Sequence, residues 1–176
     1  MKGEILKYHY FNMKKLVVIA EAEEIKLVKE LGYEGWPVLI TGVGAMNIIN
    51  ALKDLPKNMT IVNIGYAGSK DLEPGKFYAI DQVSLYHPNV NYSEKKVDLG
   101  IHYTVAYENE ERFNANERIV SCYTSNDFVL ETDNKGCVFD MELAFIAALG
   151  FENLVAFKYV SDNLDLQEYR EKFNEE

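Results

Sequence analysis

The chain has 176 residues, of which 48% are hydrophobic and 26% charged, and its formal net charge is −10 at pH 7. This length fits one domain with a sizeable core, and the acidic balance disfavours attraction to nucleic acid or to an anionic membrane surface. No stretch approaches the ~18 apolar residues of a membrane span, and the first residues lack the apolar region of a signal peptide. We therefore predict a cytoplasmic protein that binds neither nucleic acid nor membrane.

The cysteines and histidines are too few and too scattered to predict a metal site. Cys122 and Cys137 form no Cys-x-x-Cys motif and have no nearby histidine with metal-binding spacing. The three histidines are also far apart in sequence. Two reduced, buried thiols are typical of a cytosolic protein.

In chain order, the first predicted elements are three apolar runs separated by helical stretches. KLVVIA, WPVLITG and TIVNIG, at 15–20, 36–42 and 60–65, have the composition of buried strands. Residues 21–32 and 46–55 have helical spacing and end at a glycine and before a proline. This β-α-β-α-β alternation predicts a parallel sheet covered by helices.

The second half of the chain is richer in strands. The predicted strands and helix lie at 77–87, 101–107, 118–124, 138–149 (the helix) and 153–162. Residues 88–99 and 108–117 are predicted polar loops, and the tail is at most a short helix start. We predict one α/β domain over residues 13–176, with residues 1–12 as an N-terminal arm. Its centre is expected to be a mixed, largely parallel twisted sheet flanked by helices.

Polar or glycine-rich stretches follow the predicted strands, where open α/β sheets bind their ligands. They are EAEE (21–24), TGVGAMN (41–47), GYAGS (65–69), TSNDF (124–128) and SDNLD (161–165). TGVGAMN lacks the third glycine of the dinucleotide fingerprint, so by itself it is either a tight turn or a ligand loop. The convergence of these stretches predicts a ligand site at one edge of the sheet.

Four side chains near the strand ends have both a structural and a functional interpretation. Asp140 fits the first turn of a helix, whereas Glu142 lies among apolar neighbours, where a carboxylate is suited to bind a diol such as ribose. Phe128 is either a core aromatic residue or a stacking surface for a planar ligand. Asp162 is either a helix cap or a buried general acid with a raised pKa.

Six stretches occur in the order found in one enzyme superfamily. They are a Glu-rich segment after the first strand, ITGVGAMNIINAL, IVNIGYAGSKDLEPGKFYAIDQVSLYH, TSNDFV, VFDMELAFIAA and VAFKYVSDNLD. Over residues 13–165 the chain resembles the nucleoside phosphorylase superfamily, specifically the 5′-methylthioadenosine/S-adenosylhomocysteine nucleosidases, as a shortened member. The last three stretches resemble that family's Ser-Gly-Asp-x-Phe, Val-Glu-Met-Glu-Ala and Arg-x-x-Ser-Asp segments.

The resemblance implies hydrolysis of the N-glycosidic bond of a purine nucleoside such as 5′-methylthioadenosine. On the base side, Phe128 would stack on the purine and the Val129 backbone would contact its edge. Asp162 would donate a proton to purine N7 as the general acid, and Ser161 would orient Asp162.

On the sugar side, the resemblance implies that Glu142 binds the ribose 2′ and 3′ hydroxyls and that Met141 packs beneath the sugar. Glu24 would activate water, with Glu21 or Glu23 as alternatives. The implied substrate-binding set also includes Ala67, Gly68 and Lys158. Because carboxylates stabilise an oxocarbenium-like sugar and a protonated base leaves easily, this reaction needs no metal or other cofactor.

Several positions depart from the family's pattern. Asn63 and Tyr66 stand where the phosphorylases carry an Arg and a Ser that hold phosphate, which disfavours phosphorolysis. Tyr66 also replaces a small Ser of the nucleosidases and is expected to crowd the nucleophile pocket. Lys158 replaces an Arg and keeps the charge without the fork geometry, and Asn126 replaces an acid.

The chain is also expected to lack a helix between residues 87 and 118 and most of the C-terminal helix. This shortening and Tyr66 favour an alternative, a homologue that binds a nucleoside or nucleobase without cleaving it. A phosphate-dependent purine nucleoside phosphorylase is the other alternative. Relatives assemble as dimers or larger, and helix loss would expose apolar surface, so we predict a homo-oligomer.

Overall fold

Eight strands, a 3₁₀ turn and four α-helices make up the part of the chain that the computed structural model describes, residues 14–87, 96–99 and 118–174. The strands are β1 Lys15–Ile19, β2 Val38–Ile40, β3 Thr60–Gly68, β4 Phe77–Leu85, β5 Val97–Asp98, β6 Ile119–Thr124, β7 Cys137–Asp140 and β8 Asn153–Asp162. The helical segments are the 3₁₀ turn Ala22–Glu24, α1 Ile25–Glu30, α2 Ala45–Leu52, α3 Leu143–Ala148 and α4 Leu166–Asn174.

The strands pair into a mixed sheet in which five members close into a ring. The ring runs β3-β8-β4-β6-β7 and returns from β7 to β3 through the antiparallel pair Gly68 and Phe139. β1 and β2 extend the sheet from β3, and β5 pairs with β4. Five of the eight pairings are parallel, which confirms the predicted mixed, largely parallel sheet. The sheet differs from the predicted one in that five of its strands close, because β8 pairs with both β3 and β4 and β7 pairs with β3.

The helix predicted over 138–149 is a strand followed by a shorter helix. In β7, Val138 lies opposite Cys122 and Phe139 lies opposite Tyr123 in parallel pairing. Val138 is β-branched, Phe139 is aromatic, and both are buried, which favours a strand at this place. The helix therefore begins only at Leu143.

Two other predicted segments also differ from the structure. The polar loop predicted over 88–99 contains the short strand β5, and the tail forms a helix of 9 residues, α4. Asp165 starts this helix, since its Oδ1 accepts hydrogen bonds from the Gln167 and Glu168 N–H groups at 2.8 and 3.0 Å. The predictions for residues 1–12, for the strand at 101–107, for the loop at 108–117 and for a missing helix between 87 and 118 fall outside, or largely outside, the described residues.

Apolar side chains cover both faces of the sheet. Successive residues of a strand point to opposite faces, so Leu16 and Val18 belong to one core cluster while Val17 and Ile19 belong to another. α1 covers the second cluster, and α2 and α3 cover the first. Burying a large apolar side chain stabilises the fold by about 1.5–3 kcal/mol, so these layers hold the strand ends firmly. No helix within the described ranges is long and apolar enough to cross a membrane.

Candidate active site

The last residues of β3, β7 and β8 and the segments that follow β1, β2 and β6 meet at one pocket. It encloses about 630 Å³ of empty space, part of which is open to solvent. Nine of the ten predicted site residues line it: Glu24, Ala67, Gly68, Phe128, Val129, Met141, Glu142, Ser161 and Asp162. The polar and glycine-rich strand ends are therefore close together in space, as expected.

Asp162 is held at the end of β8 by its neighbours. Ser161 Oγ donates to Asp162 Oδ2 at 2.6 Å, and the Leu164 N–H donates to Oδ1 at 2.9 Å. A Cβ at Gly68 would lie 2.9 Å from Asp162 Oδ1, so a glycine is needed for this approach. Burial raises the pKa of Asp162 to about 6, although both hydrogen bonds lower it. A carboxyl group of this kind exchanges its proton near neutral pH, which suits a general acid.

Glu24 is buried, and three backbone N–H groups hold its carboxylate. Oε1 accepts hydrogen bonds from the Ala20 and Glu21 N–H groups, and Oε2 accepts one from Tyr66, all at 2.9 Å. Burial raises the pKa of Glu24, whereas the charge of Lys158 and the three N–H groups lower it. The carboxylate oxygens therefore have fixed positions at the pocket wall.

Glu21 and Glu23 are the alternatives to Glu24 as the activator of water. Glu21 is half-buried and lines the pocket, and burial, followed by the charge of Glu23, raises its pKa. Glu23 is exposed and is not among the lining residues. Of the three acids, Glu24 is the one that is buried and whose carboxylate oxygens are held by backbone N–H groups.

Glu142 immediately precedes α3 at the pocket wall. Its Oε2 accepts a hydrogen bond from the Met141 N–H at 2.9 Å. Burial, followed by repulsion from Asp140 and from Glu24, raises the pKa of Glu142 to about 8, against the attraction of Lys158. Near neutral pH this group therefore either donates or accepts hydrogen bonds, and both suit a sugar diol.

Lys158 does not line the pocket, contrary to its predicted place at the substrate. It is 2% exposed, and its Nζ lies 2.8 Å from Asp140 Oδ2. Asp140 also accepts hydrogen bonds from Thr124 Oγ1 at 2.5 Å and from the Leu143 N–H at 2.8 Å. Asp140 is the last residue of β7 and not, as predicted, a residue of the first helical turn, although its bond to the Leu143 N–H does reach the first residue of α3. The ion pair was not expected; it draws Lys158 inward because a buried carboxylate needs a counter-charge.

Tyr169 lines the pocket, although no motif in the sequence predicts it there. α4 places the centroid of its ring 5.5 Å from that of Phe128 and 6.4 Å from that of Tyr66. Burial, followed by the charges of Glu21 and Glu24, raises the pKa of its hydroxyl. The available signal was Asp165, a helix-capping residue type placed four positions before the tyrosine.

Asn63 and Tyr66, two departures from the family's pattern, lie in different places. Tyr66 lines the pocket and packs edge-on against the Tyr159 ring at 5.8 Å. Asn63 is buried in β3, where its Nδ2 donates to the Val18 carbonyl at 3.0 Å. Among the described residues, Asn63 is not part of the pocket wall. It joins β3 to β1.

The fold matches several solved structures, although no protein-family model and no curated protein sequence matches the chain. A nucleosidase (MTAN) from Chlamydia trachomatis is 18% identical, with 92% of this chain and 91% of that chain covered and a TM-score of 0.63. The 5′-methylthioadenosine/S-adenosylhomocysteine nucleosidase of Helicobacter pylori is 16% identical, with 93% and 92% covered and a TM-score of 0.70. The chain has the fold of these nucleosidases.

A further structure with the nucleosidase fold is a futalosine hydrolase mutant from Helicobacter pylori. It is 18% identical, with 92% of this chain and 90% of that chain covered, and its TM-score is 0.69. The fold implied by the six ordered stretches of sequence is therefore confirmed. In this chain, the nucleosidase fold places the pocket where β3, β7 and β8 end.

Proposed function

We propose that the chain is a purine nucleosidase that uses water to cleave the N-glycosidic bond of 5′-methylthioadenosine-like nucleosides. The observation that carries this proposal is that Asp162, Glu142, Glu24 and Phe128 line one pocket. They supply an acid for the base, a partner for the ribose diol, a carboxylate for water and an aromatic stacking surface. The fold of the nucleosidases supports the same reaction class.

Substrate binding places the purine beside Phe128 and the sugar beside Glu142. Phe128 and Val129 are half-buried in the loop after β6, where a planar base gains stacking contact. Glu142 bonds the 2′ and 3′ hydroxyls, and half-buried Met141 contacts the sugar. Ala67 and Gly68 leave room for the nucleoside because they have little or no side chain.

Asp162 donates its proton to purine N7. As the C1′–N9 bond breaks, its electron pair moves to the base, and the proton on N7 allows the base to leave without negative charge. The pKa of about 6 keeps part of the Asp162 population protonated at neutral pH. The Ser161 hydroxyl holds Oδ2 and so orients the acid.

Glu24 takes a proton from the water molecule that attacks C1′. The sugar is oxocarbenium-like in the transition state, and preorganised negative charge nearby stabilises it. The water oxygen bonds to C1′ and one water proton passes to Glu24. The products are the free base and a sugar with a hydroxyl group at C1′.

The charge of the pocket favours water over phosphate as the nucleophile. Six acidic residues line it: Glu21, Glu24, Asp127, Asp140, Glu142 and Asp162. A phosphate dianion would be repelled by those of these groups that are ionised, whereas neutral water would not. We therefore place phosphorolysis second.

The proposed substrate class follows from the lining and from similar structures. Variants of the Chlamydia trachomatis and Helicobacter pylori nucleosidases have been solved with 5′-methylthioadenosine bound. In this chain the lining also includes Val43, Phe139, Met141 and Tyr169. Such apolar and aromatic side chains suit a purine and a thioether.

We also propose that the protein is a homo-oligomer, a dimer or larger. Ile40, Val43, Met46 and Ile49 are 49%, 37%, 68% and 37% exposed along β2 and α2. An exposed apolar group of this kind favours protein–protein contact. The predicted domain boundary and cytoplasmic location stay predictions.

Base release from a nucleoside panel tests the proposed reaction. Purified protein is incubated with 5′-methylthioadenosine, adenosine and inosine, with and without phosphate, and free base is separated by chromatography. Base release without phosphate is the expected result. Release that requires phosphate would indicate a phosphorylase, and binding without release would indicate the non-catalytic alternative.

A further inference from the structure

A buried ammonium group lies beside the carboxyl groups of the pocket. Lys158 Nζ is 2.8 Å from Asp140 Oδ2, and the two side chains are 2% and 0% exposed. Gly65 on β3 pairs with Lys158 on β8. A Cβ at Gly65 would lie 2.6 Å from Glu24 Oε2 and 3.5 Å from Lys158 Nζ. The ammonium and the Glu24 carboxylate therefore approach the same point at Gly65.

Asp140 connects this ammonium to the turn that carries Glu142. Its Oδ2 accepts a hydrogen bond from the Leu143 N–H at 2.8 Å, and its Oδ1 accepts one from Thr124 Oγ1 at 2.5 Å. Thr124 Oγ1 in turn accepts a hydrogen bond from the Ala144 N–H at 2.9 Å. Glu142 stands between the anchored residues, so the ion pair holds the start of α3 in place.

We propose that Lys158 is a positioning residue that acts through its ion pair with Asp140, fixing the Glu142 turn and setting the charge on Glu142 and Glu24 without touching the substrate. The consequence for catalysis rests on the proposed function. The effect of Lys158 on the charge of Glu142 and Glu24 is independent of the proposed function.

Among the described residues, Lys158 is the one positive charge set against the three acids Asp140, Glu142 and Glu24, which is why it can set their charge. Asp140, Glu142 and Glu24 together carry three negative charges when ionised, against the single positive charge of Lys158. Burial raises the pKa of both Glu142 and Glu24, and Lys158 opposes that rise at each. Without Lys158, the pKa of both acids would rise further, so each would hold its proton to a higher pH.

The other titratable groups around the cluster come from several elements. They are Cys122 on β6, Tyr169 on α4 and, facing Tyr169, Glu21 and Asp162. Cys122 and Tyr169 are neutral at neutral pH, since burial raises the pKa of both. They therefore do not supply the positive charge that Lys158 supplies.

Two single substitutions are expected to shift the Glu142 titration in opposite directions. Lys158→Met removes the opposing charge, so the apparent pKa of Glu142 rises by at least about 1. Asp140→Asn removes a like charge and releases Lys158 toward Glu142, so the apparent pKa falls by at least about 1. If the ion pair only held the turn in place, both substitutions would break it and would move the Glu142 titration in the same direction. Lys158→Arg keeps the charge and is expected to leave the titration near that of the wild type.

Carbon-13 NMR of glutamate carboxyl groups measures this titration directly, with Glu142→Gln identifying the signal. Opposite shifts in the Lys158→Met and Asp140→Asn proteins are the expected result. Shifts in the same direction, or no shift in the folded variants, would overturn the proposal. Lys158→Met leaves Asp140 buried and unpaired, so it is liable to unfold. In that case the Asp140→Asn protein, in which Glu142 and Glu24 still attract the Lys158 ammonium, decides the test: a fall in the apparent pKa of Glu142 supports the proposal, and no fall overturns it.

The pH dependence of base release then tests the catalytic consequence. With Lys158→Met, kcat/KM at neutral pH is expected to fall at least about 10-fold and to recover as the pH rises. Lys158→Arg is expected to restore the wild-type profile. Coincident profiles for the wild type and Lys158→Met would contradict the catalytic role. An inactive wild type would defeat the proposed function instead, and the NMR titration would still decide the charge-setting role.

Discussion

Gly65 and Glu24 lie closer together than a side chain at position 65 would permit. An added Cβ at Gly65 would stand 2.6 Å from Glu24 Oε2, the oxygen that also accepts the Tyr66 N–H. Real Cβ atoms do not approach an oxygen this closely, so either the carboxylate or the strand would have to move. Glycine at position 65 of β3 is thus required by the acid proposed to activate water.

Gly65→Ala is expected to abolish most base release while the protein stays folded. The added methyl group displaces the Glu24 carboxylate, and a misplacement of about 1 Å costs roughly 100-fold in rate. Overpacking is expected to cost about 1–3 kcal/mol of stability. Initial rates and thermal melting check both effects, with Glu24→Gln as the matched loss of the carboxylate. Wild-type turnover in Gly65→Ala would contradict the role given to Glu24.

Asp162→Asn is expected to lower kcat by about 10²–10⁴-fold, because an amide cannot protonate the leaving base. Nucleoside binding should persist, since the Asn side chain has nearly the same shape. Asp165→Asn is the control: it makes the same charge change three residues away and keeps a good helix cap. Steady-state kinetics measure base release, and calorimetry measures nucleoside binding. Equal rates for Asp162→Asn and Asp165→Asn would remove Asp162 from the reaction.

Glu142→Gln is expected to raise stability at about pH 8 and to weaken substrate binding. The folded protein holds the Glu142 proton up to about pH 8, whereas the ordinary value is 4.5. Wild-type stability therefore falls as the pH rises through this range, and the Gln variant avoids that loss.

The gain in the Glu142→Gln protein is expected to reach a few kcal/mol at about pH 8, and each kcal/mol corresponds to about 2–4 °C in melting temperature. It should disappear as the pH approaches about 4.5, where both states of the wild type hold the proton. Glu131→Gln, at an exposed position, provides the control. An advantage that did not change with pH would argue against a buried, protonated Glu142.

Tyr169→Ala is expected to raise KM for 5′-methylthioadenosine about 10-fold, whereas Tyr169→Phe should change it little. The ring contacts Phe128 at 5.5 Å between centroids, and an aromatic contact of this kind contributes about 0.5–1.5 kcal/mol beyond its area. Steady-state kinetics with both variants distinguish the ring from the hydroxyl. A large effect of the Phe variant would assign the contribution to the hydroxyl instead.

Met46→Glu is expected to convert the proposed homo-oligomer into a smaller species. Met46 is 68% exposed beside Val43 and Ile49, so a charge there would be desolvated at an interface. Leu130→Glu, at a position 59% exposed elsewhere on the surface, is the control. Light scattering measures the mass. A monomeric wild type would contradict the assembly.

Much of the pocket could be predicted from the sequence, because the ends of buried strands carry the polar residues. TSNDF, SDNLD and GYAGS each come at the end of an apolar run. Parallel strands bring such carboxyl ends together at one edge of the sheet. Glu24 was harder to separate from Glu21 and Glu23, since only the fold shows which acid reaches three backbone N–H groups.

The remaining features depend on contacts between distant parts of the chain. The Asp140–Lys158 pair joins β7 to β8. The sequence around each of the two residues does not predict that they form an ion pair. Ring closure rests on one pairing, Gly68 with Phe139, which periodicity does not reveal. Tyr169 reaches the pocket because α4 folds back after Asp165, and a short amphipathic tail does not specify that direction.

The most direct test of the central claim is adenine release from 5′-methylthioadenosine in phosphate-free buffer. The proposed chemistry predicts that the wild-type protein releases adenine and the free sugar in equal amounts, at a rate that added phosphate does not increase. Intact nucleoside after prolonged incubation with folded protein, or release that depends on phosphate, would contradict a hydrolytic nucleosidase.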